Sequence, residues 1–198
     1  IMAGGGKALV NAIEGVEDDS IAGESIIRNK KIDKRDVIVG ISASGKTPFV
    51  LAAVEYASKQ GAATIGLACN YSSLLTDCVD VGILISVGAE VLADSTRLKA
   101  GTAQKMVLNM LSTATMVLMG KVYQNRMVDL KVNNKKLLKR ALEMVSDLGE
   151  ISSETACKLL TESGNHVKTA VVMAKLDINA KEAKQRLRTV DGKLNEII

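Results

Sequence analysis

The sequence predicts an α/β fold, a three-layer sandwich around a parallel sheet, followed by a small all-helical domain. Short apolar runs at residues 35–41, 62–68 and 79–86 have the pattern of buried strands. Helical segments alternate with these runs, which is typical of a parallel sheet. Residues 133–198 contain no strand-like run and are helical in pattern. A chain of 198 residues has room for one domain and a small addition.

Two helices are predicted before the first strand. Residues 3–14 carry an apolar stripe that ends at Gly15, and a second helix follows the acidic cluster at 17–20 and extends to about Lys30. Carboxylates favour a helix N-terminus because they interact with the positive end of the helix dipole.

Two further helices follow the first strand. One is predicted over 48–60, because Pro48 is tolerated in a first turn and Thr47 can cap it. The other, over 97–122, contains four of the eight methionines and is apolar on nearly all sides in its second half, so other protein must cover it. Residues 127–131 form one more short strand-like run.

The change of pattern after this run sets the predicted domain limits. Residues 1–132 form the α/β domain, 133–150 a connecting helix, and 151–198 a three-helix C-terminal domain. Because the chain opens at Ile1 rather than at a methionine, we expect the α/β domain to lack its N-terminal part.

Composition excludes several classes of function. His166 is the one histidine, so sites that need two or more, such as most catalytic zinc sites, are excluded. With no tryptophan, four other aromatic residues and a net charge of +4, the chain is not expected to bind nucleic acid. The longest uncharged apolar stretch, 106–120, is too short to span a membrane. Three cysteines without a C-x-x-C pair indicate free thiols in a reducing compartment.

The segment G-I-S-A-S-G-K-T at 40–47 is the most informative for chemistry. A glycine- and hydroxyl-rich loop between a strand and a helix presents N–H groups and a helix dipole to an anion, so a phosphate fits there. The letters also match the nucleotide-binding P-loop. That enzyme class needs an acidic magnesium ligand after a neighbouring strand, and the strand ending at Ser86 lacks one. A plain turn is the third interpretation.

The spacing S-x-S-G-x-T places Ser42, Ser44 and Thr47 as three hydroxyls around one phosphate, with Gly45 allowing close backbone approach. This resembles the phosphate loop of SIS (sugar isomerase) domains, which bind phosphosugars on a parallel sheet. Further stretches are similar to the N-acetylmuramic acid 6-phosphate etherases of that group: I-M-A-G-G-G-K-A-L, A-I-E-G-V-E-D-D, G-I-S-A-S-G-K-T-P, S-T-R-L-K-A-G-T-A-Q-K, N-R-M-V-D-L and S-G-N-H-V-K-T-A-V-V-M.

The resemblance implies a carbon–oxygen lyase that cleaves the lactyl ether of N-acetylmuramate 6-phosphate, giving N-acetylglucosamine 6-phosphate and D-lactate, in peptidoglycan recycling. Such an elimination asks for two carboxyl groups of opposite protonation state and for no metal or cofactor. In the family one catalytic glutamate lies in the E-G-x-E-D segment, which makes Glu17 the matching residue. Its partner belongs to a segment upstream of this chain.

Other roles also follow from the resemblance. Glu90, Ser95 and Thr96 are expected to contact the sugar, and the two hydroxyls to cap the helix at 97–122. The family usually has a glycine where this chain has Asp94. The implied protein is a cytoplasmic homodimer that joins through the 97–122 helix, and its C-terminal part resembles a ubiquitin-associated (UBA) domain. The alternative function is a SIS protein that senses a phosphosugar without chemistry.

Overall fold

The computed structural model describes residues 1–198. The chain divides into two compact units, residues 1–108 and 109–198. The domain limits predicted at 132 and 150 remain predictions. The elements of the first unit are a 3-10 helix (Gly5–Leu9), α1 (Ser20–Asn29), β1 (Val37–Ile41), α2 (Pro48–Lys59), β2 (Ala63–Ala68), α3 (Leu74–Asp77), β3 (Val81–Leu84) and the start of α4 (Lys99–Leu118).

A parallel three-stranded sheet in the order β1-β2-β3 forms the centre of the first unit, as the sequence predicted. One face packs closely on α2 and α3. A Cβ added to Gly40 would lie 2.6 Å from a methyl of Val54, and one added to Gly66 would lie 2.7 Å from the carbonyl oxygen of Leu75. Glycine in these strands therefore lets the helices approach the sheet.

The opposite face of the sheet is partly open. Val37 and Val39 of β1 and Val81 of β3 lie on this face, and each is more than a third exposed. The parallel sheet of the predicted sandwich is confirmed, and its third layer remains a prediction.

The segment before β1 folds differently from its prediction. The helix expected over 3–14 is reduced to the 3-10 helix, and at its start Gly4 and Gly5 have positive φ angles of 73° and 63°, which a right-handed α-helix does not contain. The second helix, α1, is confirmed, and the side chain of Asp19 caps it by accepting a hydrogen bond from Ala22 N at 2.8 Å. It packs on α2 through Ile27, Ala53 and Ala57.

The second unit is largely helical. A two-stranded antiparallel hairpin, β4 (Val122–Tyr123) and β5 (Arg126–Met127), ends at the first residue of the strand expected over 127–131, and residues 128–131 form no strand, so that prediction is wrong. Four helices follow: α5 (Lys135–Gly149), α6 (Ser153–Glu162), α7 (Val167–Leu176) and α8 (Ala180–Thr189). They share a core of fully buried apolar residues that includes Val145, Leu160 and Val171. None of the helices in the structure has the length and apolar character needed to cross a membrane.

Candidate functional site

Three hydroxyl groups form a cluster, the hydroxyl cluster, in the loop between β1 and α2, the hydroxyl loop (residues 42–47). Ser42 Oγ lies 2.7 Å from Thr47 Oγ1 and 3.2 Å from Ser44 Oγ. Ser42 is buried, whereas Ser44 is exposed, so the cluster has one side in the protein and one toward solvent. The residues that the sequence predicted to surround a phosphate are therefore together.

The backbone of this loop is held by its neighbours. Ser42 N donates to Leu67 O at 3.0 Å, which continues the hydrogen bonding of β1 with β2. Gly45 has a φ of 69°, and a Cβ there would lie 2.1 Å from Ser73 Oγ. Leu75 N also donates to Gly45 O at 2.9 Å. Only glycine fits this position, on both conformational and steric grounds.

The loop ends at the N-terminus of α2. Thr47 occupies the cap position, as predicted, but its side chain makes no capping hydrogen bond and contacts Ser42 instead. Lys46 and Thr47 both precede the helix, which begins at Pro48. In a P-loop the corresponding Lys and Thr lie in the first helical turn, so the geometry counts against nucleotide binding.

Glu17 reaches the same helix through its main chain. Its carbonyl oxygen accepts a hydrogen bond from Phe49 N at 3.0 Å, in the first turn of α2. The Glu17 side chain is exposed. The structure thus places the main chain of Glu17 at the helix end that carries the hydroxyl cluster, and the catalytic role of its carboxylate remains a prediction.

Glu90 binds the N-terminus of α4. Its two carboxylate oxygens accept hydrogen bonds from Ala100 N at 2.9 Å and Lys99 N at 3.1 Å. The bond from Ala100 lowers the pKa of Glu90, and the bond from Lys99 adds to this effect. Glu90 is therefore ionised at neutral pH and cannot serve there as a proton donor.

Ser95 and Thr96 do not cap α4 with their side chains, contrary to the prediction, because Glu90 occupies that position. Just before them, Asp94 has a φ of 64°, in the left-handed region that favours glycine. This explains in physical terms why a glycine suits the position. The predicted sugar contacts of Glu90, Ser95 and Thr96 remain predictions.

Cys69 links the hydroxyl loop to the α4 terminus. Its N–H donates to Ala43 O at 3.0 Å, and its Sγ lies 3.9 Å from Ala100 O. Burial raises the pKa of the Cys69 thiol, and the charge of Glu90 raises it further. Sequence reasoning missed the structural roles of Cys69 and Ser73, since neither belongs to a recognisable motif. Nowhere do three or more His, Cys, Asp or Glu side chains cluster in a way that could hold a metal ion.

Comparison with known proteins gives two domain matches. Residues 1–69 match the SIS domain family. Residues 124–168 match the C-terminal lid domain of glucokinase regulatory protein.

Several known proteins are similar to this chain over its whole length. An N-acetylmuramic acid 6-phosphate etherase 1 of Bacillus licheniformis is 46% identical over 198 residues, which is 100% of this chain and 65% of that protein. N-acetylmuramic acid 6-phosphate etherases of Bacillus subtilis and Oenococcus oeni are 45% and 44% identical over 100% of this chain, covering 65% and 67% of their own lengths. The chain therefore spans about two thirds of the curated relatives that it matches.

Proposed function

The chain belongs to the N-acetylmuramic acid 6-phosphate etherase family, and on that premise we propose that its protein cleaves the D-lactyl ether of N-acetylmuramate 6-phosphate. The products are N-acetylglucosamine 6-phosphate and D-lactate. One observation carries the proposal: the Ser42, Ser44 and Thr47 hydroxyls and the Glu17 main chain meet at the N-terminus of α2.

The reaction is an elimination followed by addition of water. In the open-chain sugar the C1 aldehyde makes the C2 proton acidic, so a carboxylate can remove it. The C3–O bond to the lactyl group then breaks, and a carboxylic acid protonates the departing ether oxygen. Water adds to C3 and C2 regains a proton, which leaves N-acetylglucosamine 6-phosphate. Glu17 supplies one of the two carboxyl groups in this scheme.

The hydroxyl loop supports recognition of the phosphate. Its hydroxyls can donate to phosphate oxygens, and the exposed Lys46 adds a positive charge beside them. Glu90 is ionised and can accept hydrogen bonds from sugar hydroxyls, and Ser95 and Thr96 lie between it and α4 in the sequence. These groups bind the sugar, while Glu17 takes part in proton transfer.

The test is D-lactate release by the protein expressed from its complete gene. With N-acetylmuramate 6-phosphate as substrate, a coupled lactate assay should show turnover. Glu17→Gln is expected to lower kcat by roughly 10²- to 10⁴-fold, which is the usual contribution of general acid–base catalysis. The affinity for N-acetylglucosamine 6-phosphate should stay within about twofold, because the hydroxyl loop is unchanged.

Glu14→Gln is the matched control, since Glu14 is an exposed glutamate three residues upstream in the same segment. It should retain wild-type kcat. Absence of lactate from the wild-type protein, with tight phosphosugar binding, would contradict the proposal and favour a sensor.

We also propose that the protein is a homodimer whose copies meet along α4. Only Ala100 is buried in this 20-residue helix. Met106, Met110 and Val117, with Thr113 between the last two, follow the four–three–four spacing of a coiled-coil seam, and all four are exposed. The same four side chains on a second copy of the chain provide the simplest partner surface that would bury them.

We propose a third layer over the open face of the sheet, domain limits at 1–132, 133–150 and 151–198, and a UBA-like arrangement of α6, α7 and α8. A cytoplasmic location is also proposed, because Cys69, Cys78 and Cys157 are free thiols, as is usual in reducing compartments.

A further inference from the structure

Gly23 marks a place where two helices meet at their backbones. It lies on α1 and is buried. A Cβ at this position would lie 2.2 Å from the carbonyl oxygen of Phe49 and 2.9 Å from its carbonyl carbon. Both atoms are main chain, so a side chain at residue 23 cannot be accommodated without moving one helix.

The main chain of Phe49 is therefore contacted on two sides by one short segment. Its N–H donates to Glu17 O at 3.0 Å, and its carbonyl lies against Gly23. Between these points, Asp19 caps α1 through Ala22 N, and Gly23 N donates to Asp19 O at 3.2 Å. Residues 17–23 are thus fixed at both ends on the first turn of α2.

We infer that Gly23 is a positioning residue for catalysis: the close approach that it permits sets the distance between Glu17 and the hydroxyl cluster. The inference rests on the proposed function. Ordinary contact for a Cβ begins near 3.4 Å, so a methyl group at residue 23 would separate the helices by about 1 Å. A displacement of that size at a catalytic group can lower the rate about 10²-fold.

Gly23→Ala in the complete protein tests this inference. We expect kcat for D-lactate release to fall by about 10- to 100-fold, while the affinity for N-acetylglucosamine 6-phosphate stays within about twofold. We expect kcat to fall without a loss of affinity because Ser42, Ser44 and Thr47 bind the phosphate without help from α1. A purely structural role would instead lower affinity, kcat and Tm together, and that result would overturn the inference.

Gly101→Ala is the matched control. It makes the same change inside a helix, but its Cβ would have 3.5 Å to the nearest atom, Thr96 O. We expect kcat to stay within about twofold of wild type. The helix should become slightly more stable, because alanine has a higher helix propensity than glycine. Wild-type kcat in Gly23→Ala would overturn the inference alone, whereas no lactate from the wild-type protein would overturn the proposed function with it.

A second variant covers the case in which Gly23→Ala does not fold. Asp19→Ala removes the cap of α1 and loosens the 17–23 segment, without placing an atom between the helices. We expect kcat to fall and product affinity to persist, and Asp19→Asn, which keeps the cap, to restore kcat. Unchanged kcat in Asp19→Ala would overturn the inference.

Discussion

The exposed carboxylate of Asp80 joins the start of β3 to β2 through hydrogen bonds. Its Oδ2 accepts hydrogen bonds from Thr64 N at 2.7 Å and Thr64 Oγ1 at 2.8 Å, and Thr64 Oγ1 accepts one from Asp80 N at 3.1 Å. Thr64 is buried in β2, and Asp80 directly precedes β3. These bonds lower the pKa of Asp80, the backbone bond from Thr64 having the larger effect.

The lowered pKa gives a pH-dependent contribution to stability. A carboxyl group whose pKa is lower in the folded state stabilises the fold above its unfolded pKa, near 3.8, and this contribution is lost as pH falls through the folded pKa. We therefore expect Asp80→Asn to reduce the free energy of unfolding at pH 6, with the difference from wild type shrinking toward pH 2. Urea denaturation at several pH values measures it.

The control for this prediction is Asp77→Asn. Asp77 is exposed at the end of α3, and its carboxylate makes no hydrogen bond or ion pair. Its pH profile should follow that of the wild type. A constant difference between Asp80→Asn and wild type across the pH range would show that the charge of Asp80 is not what stabilises the strands.

Among the elements, those with a strong local pattern were predictable. The three parallel strands, α1, α2 and α5 lie within a few residues of their predicted limits, because apolar spacing and cap residues such as Asp19 are local properties. The hydroxyl loop was also predictable, since its three hydroxyl residues lie close together in the sequence.

Non-local contacts explain where sequence reasoning was wrong or incomplete. The cap of α4 comes from Glu90, nine and ten residues before the amides that it binds, so the nearer Ser95 and Thr96 were chosen instead. Ser73 contacts Gly45 across the sheet edge, and no spacing along the chain indicates this.

The conformation of the hydroxyl loop depends on the glycine at position 45. Gly45→Ala requires a left-handed conformation from a residue with a Cβ and places that atom against Ser73 Oγ. We expect the loop to shift and the affinity for N-acetylglucosamine 6-phosphate to fall by about tenfold or more, equivalent to at least about 1.4 kcal/mol. Isothermal titration calorimetry measures the change.

Gly61→Ala is the control for the loss of stability that a side chain at a positive φ causes outside the hydroxyl loop. Gly61 also has a positive φ, of 81°, but its Cβ would meet only Lys34 Cβ, at 3.8 Å. This variant should lose about 1–2 kcal/mol of stability and bind the phosphosugar normally. Equal loss of binding in both variants would mean that general destabilisation, and not the contact of residue 45 with Ser73, lowers the affinity.

Buried apolar residues are distributed unevenly between the two units of the molecule. In the second unit, fifteen buried apolar residues between Val128 and Leu194 form one continuous cluster. In the first unit, the cluster between α1 and α2 has four, and one face of the sheet is partly open. Helix α4 belongs to both units and exposes most of its large apolar side chains. Such a helix is stable in water only when other protein covers it.

A charge placed in the proposed seam along α4 should dissociate the dimer. Met110 lies in the middle of the exposed stripe and is 61% exposed. Met110→Glu would place a charge from each copy in the seam, where desolvation and like-charge repulsion both oppose association. We expect sedimentation velocity to show a dimer for the wild-type protein and a monomer for the variant at the same concentration. Ser112→Glu adds the same charge about 200° around the helix from Met110, so it should remain dimeric. Dissociation of both variants, or of neither, would place the dimer contact elsewhere.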